Sequence, residues 1–232
     1  MSEQFERVER FRYLPIFPLP LVLMPNELLP LHIFEQRYRQ MLTDIESNDN
    51  VFGVSFFKPG DGFDDRPAPG SIGCIAEVRE VENLPDRRAM IVTVGVGRFE
   101  LLRYLETGDE YLVAEIEFFE DDPGDRDVIE PLAREVFEIF KRVARAAFDL
   151  TGQSGTIPEI PQSDPETMSY LIAAALKVEP EQKQTLLEMR STAERLERLG
   201  KMLYGIVEKM EETAHIQKIS RTNGHSKKKI DY

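Results

Sequence analysis

A chain of 232 residues, 41% of them hydrophobic, carries enough apolar material for one ordinary core or two small ones. Its 29 basic and 42 acidic residues give a formal net charge of −13, which repels phosphate backbones and anionic lipid and argues against nucleic acid or membrane as the main partner. Cys74 is the only cysteine, so an intramolecular disulfide and a cysteine-cluster zinc site are excluded. The charge is uneven: five Lys/Arg stand against Asp231 between Lys218 and Tyr232, which leaves 24 basic against 41 acidic residues elsewhere.

Residues 1–13 read as a polar lead-in. Glu3, Glu6 and Glu9 fit no signal peptide, and the apolar run Leu14–Asn26 is short and broken by prolines. The expectation is a cytoplasmic protein. Pro15, Pro18, Pro20, Pro25 and Pro30 then punctuate a stretch of leucines, isoleucine, valine and phenylalanine. Proline donates no hydrogen bond and pushes its predecessor into extended backbone, so this stretch predicts edge-like or bulged strand and no helix. From Phe34 the pattern changes, and Tyr38, Met41, Leu42 and Ile45 mark one face of a helix ending near Ser47.

Val51–Phe57 suits a buried strand, and the Gly/Pro/Asp-rich run after it a loop. Ile72, Cys74, Ala76 and Val78 alternate as a strand. A hairpin turn at "NLPDRR" leads to "AMIVTVGVGRFELLRYL", read as two strands joined at Gly95–Gly97. Leu112, Ala114, Ile116 and Phe118 give the clearest half-buried strand. Beyond residues 120–127 the periodicity is helical. Leu132, Val136, Ile139, Phe140, Val143, Ala147 and Phe148 form one stripe, with Pro131 expected in a first turn. Asp164 is an expected N-cap, Pro180 a helix start, and Ser191–Glu194 a capping-box spacing that implies a break near Arg190.

Several of these residues form a recognisable constellation. Phe17-Pro18-Leu19 is followed by Leu29-Pro30-Leu31-His32-Ile33-Phe34-Glu35 with Arg37-Tyr38, then by "VGVGRFELL" from Val94, "YLVAEIE" from Tyr111 and "LLEMRSTAERLERL" from Leu186. From residue 14 to about 210 the chain resembles the Lon protease N-terminal substrate-binding domain family. The turn at Met24-Pro25-Asn26 has Asn where that family has Gly, and Asn also tolerates positive φ. The resemblance implies an α+β fold: a PUA-like twisted β pseudo-barrel with one helix, followed by a C-terminal α-helical bundle. The lobes are expected at residues 1–122 (β-rich) and 123–214 (helical, three or four members), with 215–232 a disordered basic tail.

The resemblance further implies a non-catalytic module that binds unfolded or tagged client proteins, or an adaptor to a separate ATP-dependent protease. The sequence contains no G-x-x-x-x-G-K-[ST] motif and no match to a Ser–Lys protease site, and no catalytic residue, cofactor or metal is assigned. Gly95-Val96-Gly97 reads as a bulge or tight bend, not a phosphate cradle. His32 is expected to pack at the strand-to-helix junction, and Cys74 to be buried as a small hydrophobe. Asp61, Asp64 and Asp65 lack calcium-loop spacing. An extended client needs a free strand edge or an apolar groove, and Phe17, Leu19 and Met24, rimmed by Arg37 and Tyr38, are the expected contributors. The alternatives are an RNA-binding PUA-like protein, disfavoured by the acidic body, and a small-molecule enzyme in a barrel–bundle cleft.

Overall fold

The computed structural model describes residues 11–47, 49–58, 60, 66–150 and 163–223. The Pro-punctuated opening yields two strands, β1 (Tyr13–Leu19) and β2 (Leu28–Ile33), followed by helix α1 (Gln36–Ile45). Then come β3 (Val51–Phe56), β4 (Ile72–Asn83), β5 (Ala89–Leu105) and β6 (Leu112–Phe119). The loop bearing Asp61, Asp64 and Asp65 lies outside the described residues. A 3-10 turn at Pro85–Arg87 closes the β4–β5 hairpin, where Asp86 and Arg87 both have positive φ.

All six strands form one sheet in the order β2-β5-β4-β3-β1-β6. Because β5 also pairs with β6, the strands β5-β4-β3-β1-β6 close on themselves, and β2 hangs on the first half of β5. The expected junction of two strands at Gly95–Gly97 is instead one continuous strand of 17 residues. Ile75 pairs Gly97 while Ala76 pairs Gly95, so Val96 is the extra residue of a bulge. A bulge bends a strand without ending it, which lets β5 serve three neighbours. Glycine is required there: a Cβ on Gly95 would stand 2.2 Å from the Met24 carbonyl oxygen. Asn26, at φ 65, donates its N–H to that same Gly95 carbonyl, so the tight turn at 24–27 leans on the bulge.

Strand β1 is covered on both faces. Leu14 and Ile16 join Val51, Ile75, Phe99, Leu101, Ala114 and Ile116 in one core. Phe17 joins Ile33, Tyr38, Met41, Ile45, Phe52 and Cys74 in another, beneath α1. Sheathing both faces explains why its apolar run is longer than one face could bury.

The remaining helices are α2 (Arg126–Leu150), α3 (Pro165–Ala175), α4 (Pro180–Glu188) and α5 (Thr192–Asn223). As expected, Asp164 caps α3, accepting from the Thr167 N–H at 3.0 Å, and the chain breaks around Arg190. Pro131 lies inside α2, not in its first turn, because the helix begins at Arg126. The chain divides into two compact units, residues 1–124 with 163–192, and 125–162 with 193–232. The span 123–214, read from sequence as one helical lobe, is thus shared: α3 and α4 go with the sheet, α2 and α5 form the second unit. The span 215–232, read as a disordered tail, is helical as far as Asn223; residues 224–232 lie outside the described ones.

Candidate functional site

The residues expected to form a groove separate into support and surface. Met24 is fully buried, and the Tyr38 ring stacks on Phe17 at 3.9 Å between centroids inside the core under α1. Leu19 is half-buried. Arg37 is exposed, pairing with Glu35 at 2.8 Å and lying 4.6 Å from the Tyr38 ring centre. Arg37 and Leu19 therefore keep some access, whereas Phe17, Met24 and Tyr38 hold the scaffold in place.

The accessible apolar surface is on β2, within the same motif. Gly95 donates to the Glu27 carbonyl and the Thr93 hydroxyl to the Leu29 carbonyl at 2.9 Å, so 27 and 29 turn their backbone toward β5. By the alternation of an antiparallel ladder, Leu28, Pro30 and His32 turn theirs to the outer edge. Among the described residues β5 is the only strand beside β2, so that edge is open. The side chains of 28, 30 and 32 also share the outward face, and all three are exposed. His32 is thus not packed at the junction as expected; strand parity puts it outside, its ring centroid 5.5 Å from that of Phe34.

Cross-strand register defines the rest of this face. Leu28, Pro30 and His32 stand opposite Val94, Val92 and Met90 of β5, which stand opposite Glu77, Glu80 and Glu82 of β4. Exposure reaches 65% at Leu28, 58% at Phe34 and 37% at Met90. The result is an apolar strip with an open edge on one side and a row of glutamates on the other. Glu77 is held by Arg79 at 2.8 Å, while Glu80 and Glu82 are exposed. Neither the acidic row nor the outward parity can be read without the register.

A second feature is buried polar chemistry around Arg98. Its guanidinium donates to the carbonyls of Leu187 (2.9 Å) and Met189 (2.6 Å) and pairs with Asp121 at 2.5 Å. Tyr170 and Thr192 donate their hydroxyls to the same Asp121 carboxylate. Phe119 and Tyr170 lie against the guanidinium, with ring centres 4.5 and 5.5 Å away. Every member is engaged, so this is the fastening of α4 and α3 onto the sheet. The cleft beside it, about 360 Å³, is lined by Asp121, Asp164, Glu120 and Glu166, with Arg98 the only cation among the described residues that line it.

Cys74 is fully buried, and burial pushes its thiol up to about 12. A thiol held neutral in the core is no nucleophile at ordinary pH. It faces inward on β4 while His32 faces outward on β2, so the two form no dyad. Among the described residues no group of three or more His, Cys, Asp or Glu could hold a metal ion, and no helix is long and apolar enough to cross a membrane.

Residues 13–204 match the family model described as the ATP-dependent protease La (LON) substrate-binding domain. Among curated proteins, the chain is 27% identical over 213 residues to a Lon protease of Azorhizobium caulinodans, covering 90% of this chain and 24% of the relative. A Lon protease 2 of Syntrophobacter fumaroxidans is 26% identical, covering 90% and 26%. The chain thus spans about a quarter of the length of the relatives it matches. Among solved structures, the Lon N-terminal domain protein of Xanthomonas campestris aligns with a TM-score of 0.59 at 23% identity, over 82% of this chain and 97% of that one. The N-terminal domain of Mycobacterium avium complex Lon protease aligns at 0.61 and 16%, over 83% and 98%.

Proposed function

The chain belongs to the ATP-dependent protease La (LON) substrate-binding domain family, and on that premise we propose that it captures extended segments of unfolded or tagged proteins on the outward strip of β2 and β5, serving a proteolytic machine as its recognition module or adaptor. The observation that carries the reading is the exposure of Leu28, Phe34 and Met90 beside an open strand edge. Apolar side chains clustered on a free edge are the features that extended peptides use, by backbone pairing and by side-chain pockets. The adjacent Glu80 and Glu82 add a preference: a client segment with apolar and basic residues fits better than an acidic one. The same glutamates repel a phosphate backbone, which favours protein over RNA. Closure of the five strands supports the PUA-like pseudo-barrel reading of the scaffold. Arg37, exposed at the start of α1, remains a candidate rim residue; Phe17, Tyr38 and Met24 act from beneath.

The test is capture of a chemically denatured model protein, followed by suppression of light scattering. Replacing Phe34 or Leu28 with Glu should weaken capture about tenfold each, the size of a modest interface hot spot, while the melting temperature stays unchanged because both side chains are exposed. Undiminished capture by both variants would refute this placement.

A further inference from the structure

The strip leads to a second feature. The rung His32–Met90–Glu82 is followed by the rung Ile33–Ala89–Asn83, where β2, β5 and β4 all end. Next to that end, between α1 and the β4–β5 turn, lies a cleft of about 740 Å³. Its polar lining is Gln36, Arg39, Gln40 and Thr43 from α1 and Asn83 and Arg87 from the turn side, with Leu42, Leu84 and Ala89 between them. Glu46 also lines it, seven residues beyond Arg39 and so about 10 Å farther along the helix.

Two arginines here lack the carboxylate that most described arginines of their unit have, as does Arg88 of the same turn, which donates to the Pro85 carbonyl at 3.4 Å outside the cleft. Arg12, Arg37, Arg79, Arg98, Arg103 and Arg190 each face a carboxylate within 4.0 Å. Arg39 and Arg87 face none among the described residues. One nitrogen of Arg39 donates to the Asp86 carbonyl at 3.2 Å, but its Nε is buried without a partner. A buried guanidinium N–H left unmatched is unfavourable, and turning the fork into the neighbouring cleft toward an anion relieves it. Arg87 is held over the same cleft by a turn with two successive left-handed residues, Asp86 and Arg87, a conformation that side chains larger than glycine adopt only under constraint.

We propose that this cleft is a carboxylate subsite that takes the free C-terminus of an extended client, with Arg39 and Arg87 as the gripping cations and the amides of Gln36 and Asn83 at hand. The inference rests on the strip being the client surface: strip and cleft share one end of the sheet, where the rung after His32–Met90–Glu82 lends Ala89 and Asn83 to the cleft, so the last residues of a chain leaving the strip turn round that end toward the α1 side. A carboxylate suits the site better than a phosphate. Its planar pair of oxygens matches the guanidinium fork, and a single negative charge meets less repulsion from Glu46 and the acidic body.

The test uses the full chain and three unstructured, fluorescently labelled peptides of one apolar-basic sequence. One ends in a free acid, one is amidated, and one is amidated with a glutamate near its end. By anisotropy the free acid should bind about tenfold tighter than the amide, the scale of one charge-assisted pair. Arg39→Gln and Arg87→Gln should each remove that preference, and Arg103→Gln, which loses the same charge elsewhere, should keep it. Equal binding of acid and amide, or a preference that survives both cleft variants, overturns the subsite. An amidated glutamate peptide that binds like the free acid overturns the assignment to a chain terminus and leaves the carboxylate chemistry standing. If denatured protein is captured in a Phe34-dependent manner while acid and amide bind alike, the subsite alone falls. If neither protein nor peptide binds, the client-surface reading falls with it.

Discussion

Phe17 and Tyr38 stack face to face, 3.9 Å between ring centroids with 27° between their planes, and so join the first strand to the first helix. Each is under a tenth exposed. Either residue replaced by Ala should cost about 3–5 kcal/mol, the usual range for a buried aromatic. The double substitution should cost less than the sum by about 1 kcal/mol, which is the stack itself. Urea denaturation of the four proteins of this cycle measures both quantities, and strict additivity would mean that the rings merely share a cavity.

Arg98 should be the residue on which docking of α4 depends. Arg98→Met leaves the Asp121 carboxylate buried without its cation and the Leu187 and Met189 carbonyls without their donor. Breaking a buried pair from one side costs about 3–5 kcal/mol. Amide exchange should accelerate across Pro180–Glu188 in this variant, because the sheet loses its hold there. Unchanged protection in that helix would mean that apolar packing of Leu186 and Leu187 suffices.

What could be read from residue order was the local grammar. Proline spacing gave the two opening strands, period 3.6 gave α1, and Asp164 and Pro180 marked helix starts that the structure reproduces. Two kinds of information were not local. Strand parity at His32 depends on which neighbour β2 chooses, so an apolar-looking junction became an exposed edge. The partition of the helices depends on contacts 89 and 91 residues apart, from Arg98 to the carbonyls of Leu187 and Met189. Periodicity shows that a helix has an apolar face and is silent about what that face meets. For the same reason Met24, expected to contribute to a client groove, lies in the core: its turn is clamped by Glu27, which accepts from the Met24 N–H at 2.9 Å.

Cys74 makes stability depend on pH at the alkaline end. Burial raises its thiol from 9.0 to about 12. Above pH 9 the unfolded chain therefore loses a proton that the folded chain keeps, so the unfolded state binds fewer protons and stability falls as pH rises. The contribution is whole below about pH 9 and declines toward pH 12, with a limiting slope of about 1.4 kcal/mol per pH unit. Burial raises Tyr104 to about 12 and Tyr111 as well, each with the same sign but an onset nearer pH 10. Cys74→Ala should flatten the stability profile between pH 9 and 10 and leave the steeper fall beyond it. An unaltered profile would show that water reaches the thiol before unfolding.

Pro30 sets a limit on what the open rim of β2 can recruit. Of the three residues whose backbone turns outward, only Leu28 and His32 carry an N–H, and they are separated by a position that can accept but never donate. A visiting segment can bridge that gap if its other attachments are made by side chains. A second copy of the same rim cannot: antiparallel about Pro30, it would set one silent position against another and break the run of bonds at its centre. The rim therefore tolerates transient, heterogeneous guests and disfavours self-templated growth, which allows a surface with Leu28 and Phe34 exposed to persist without seeding fibrils of itself.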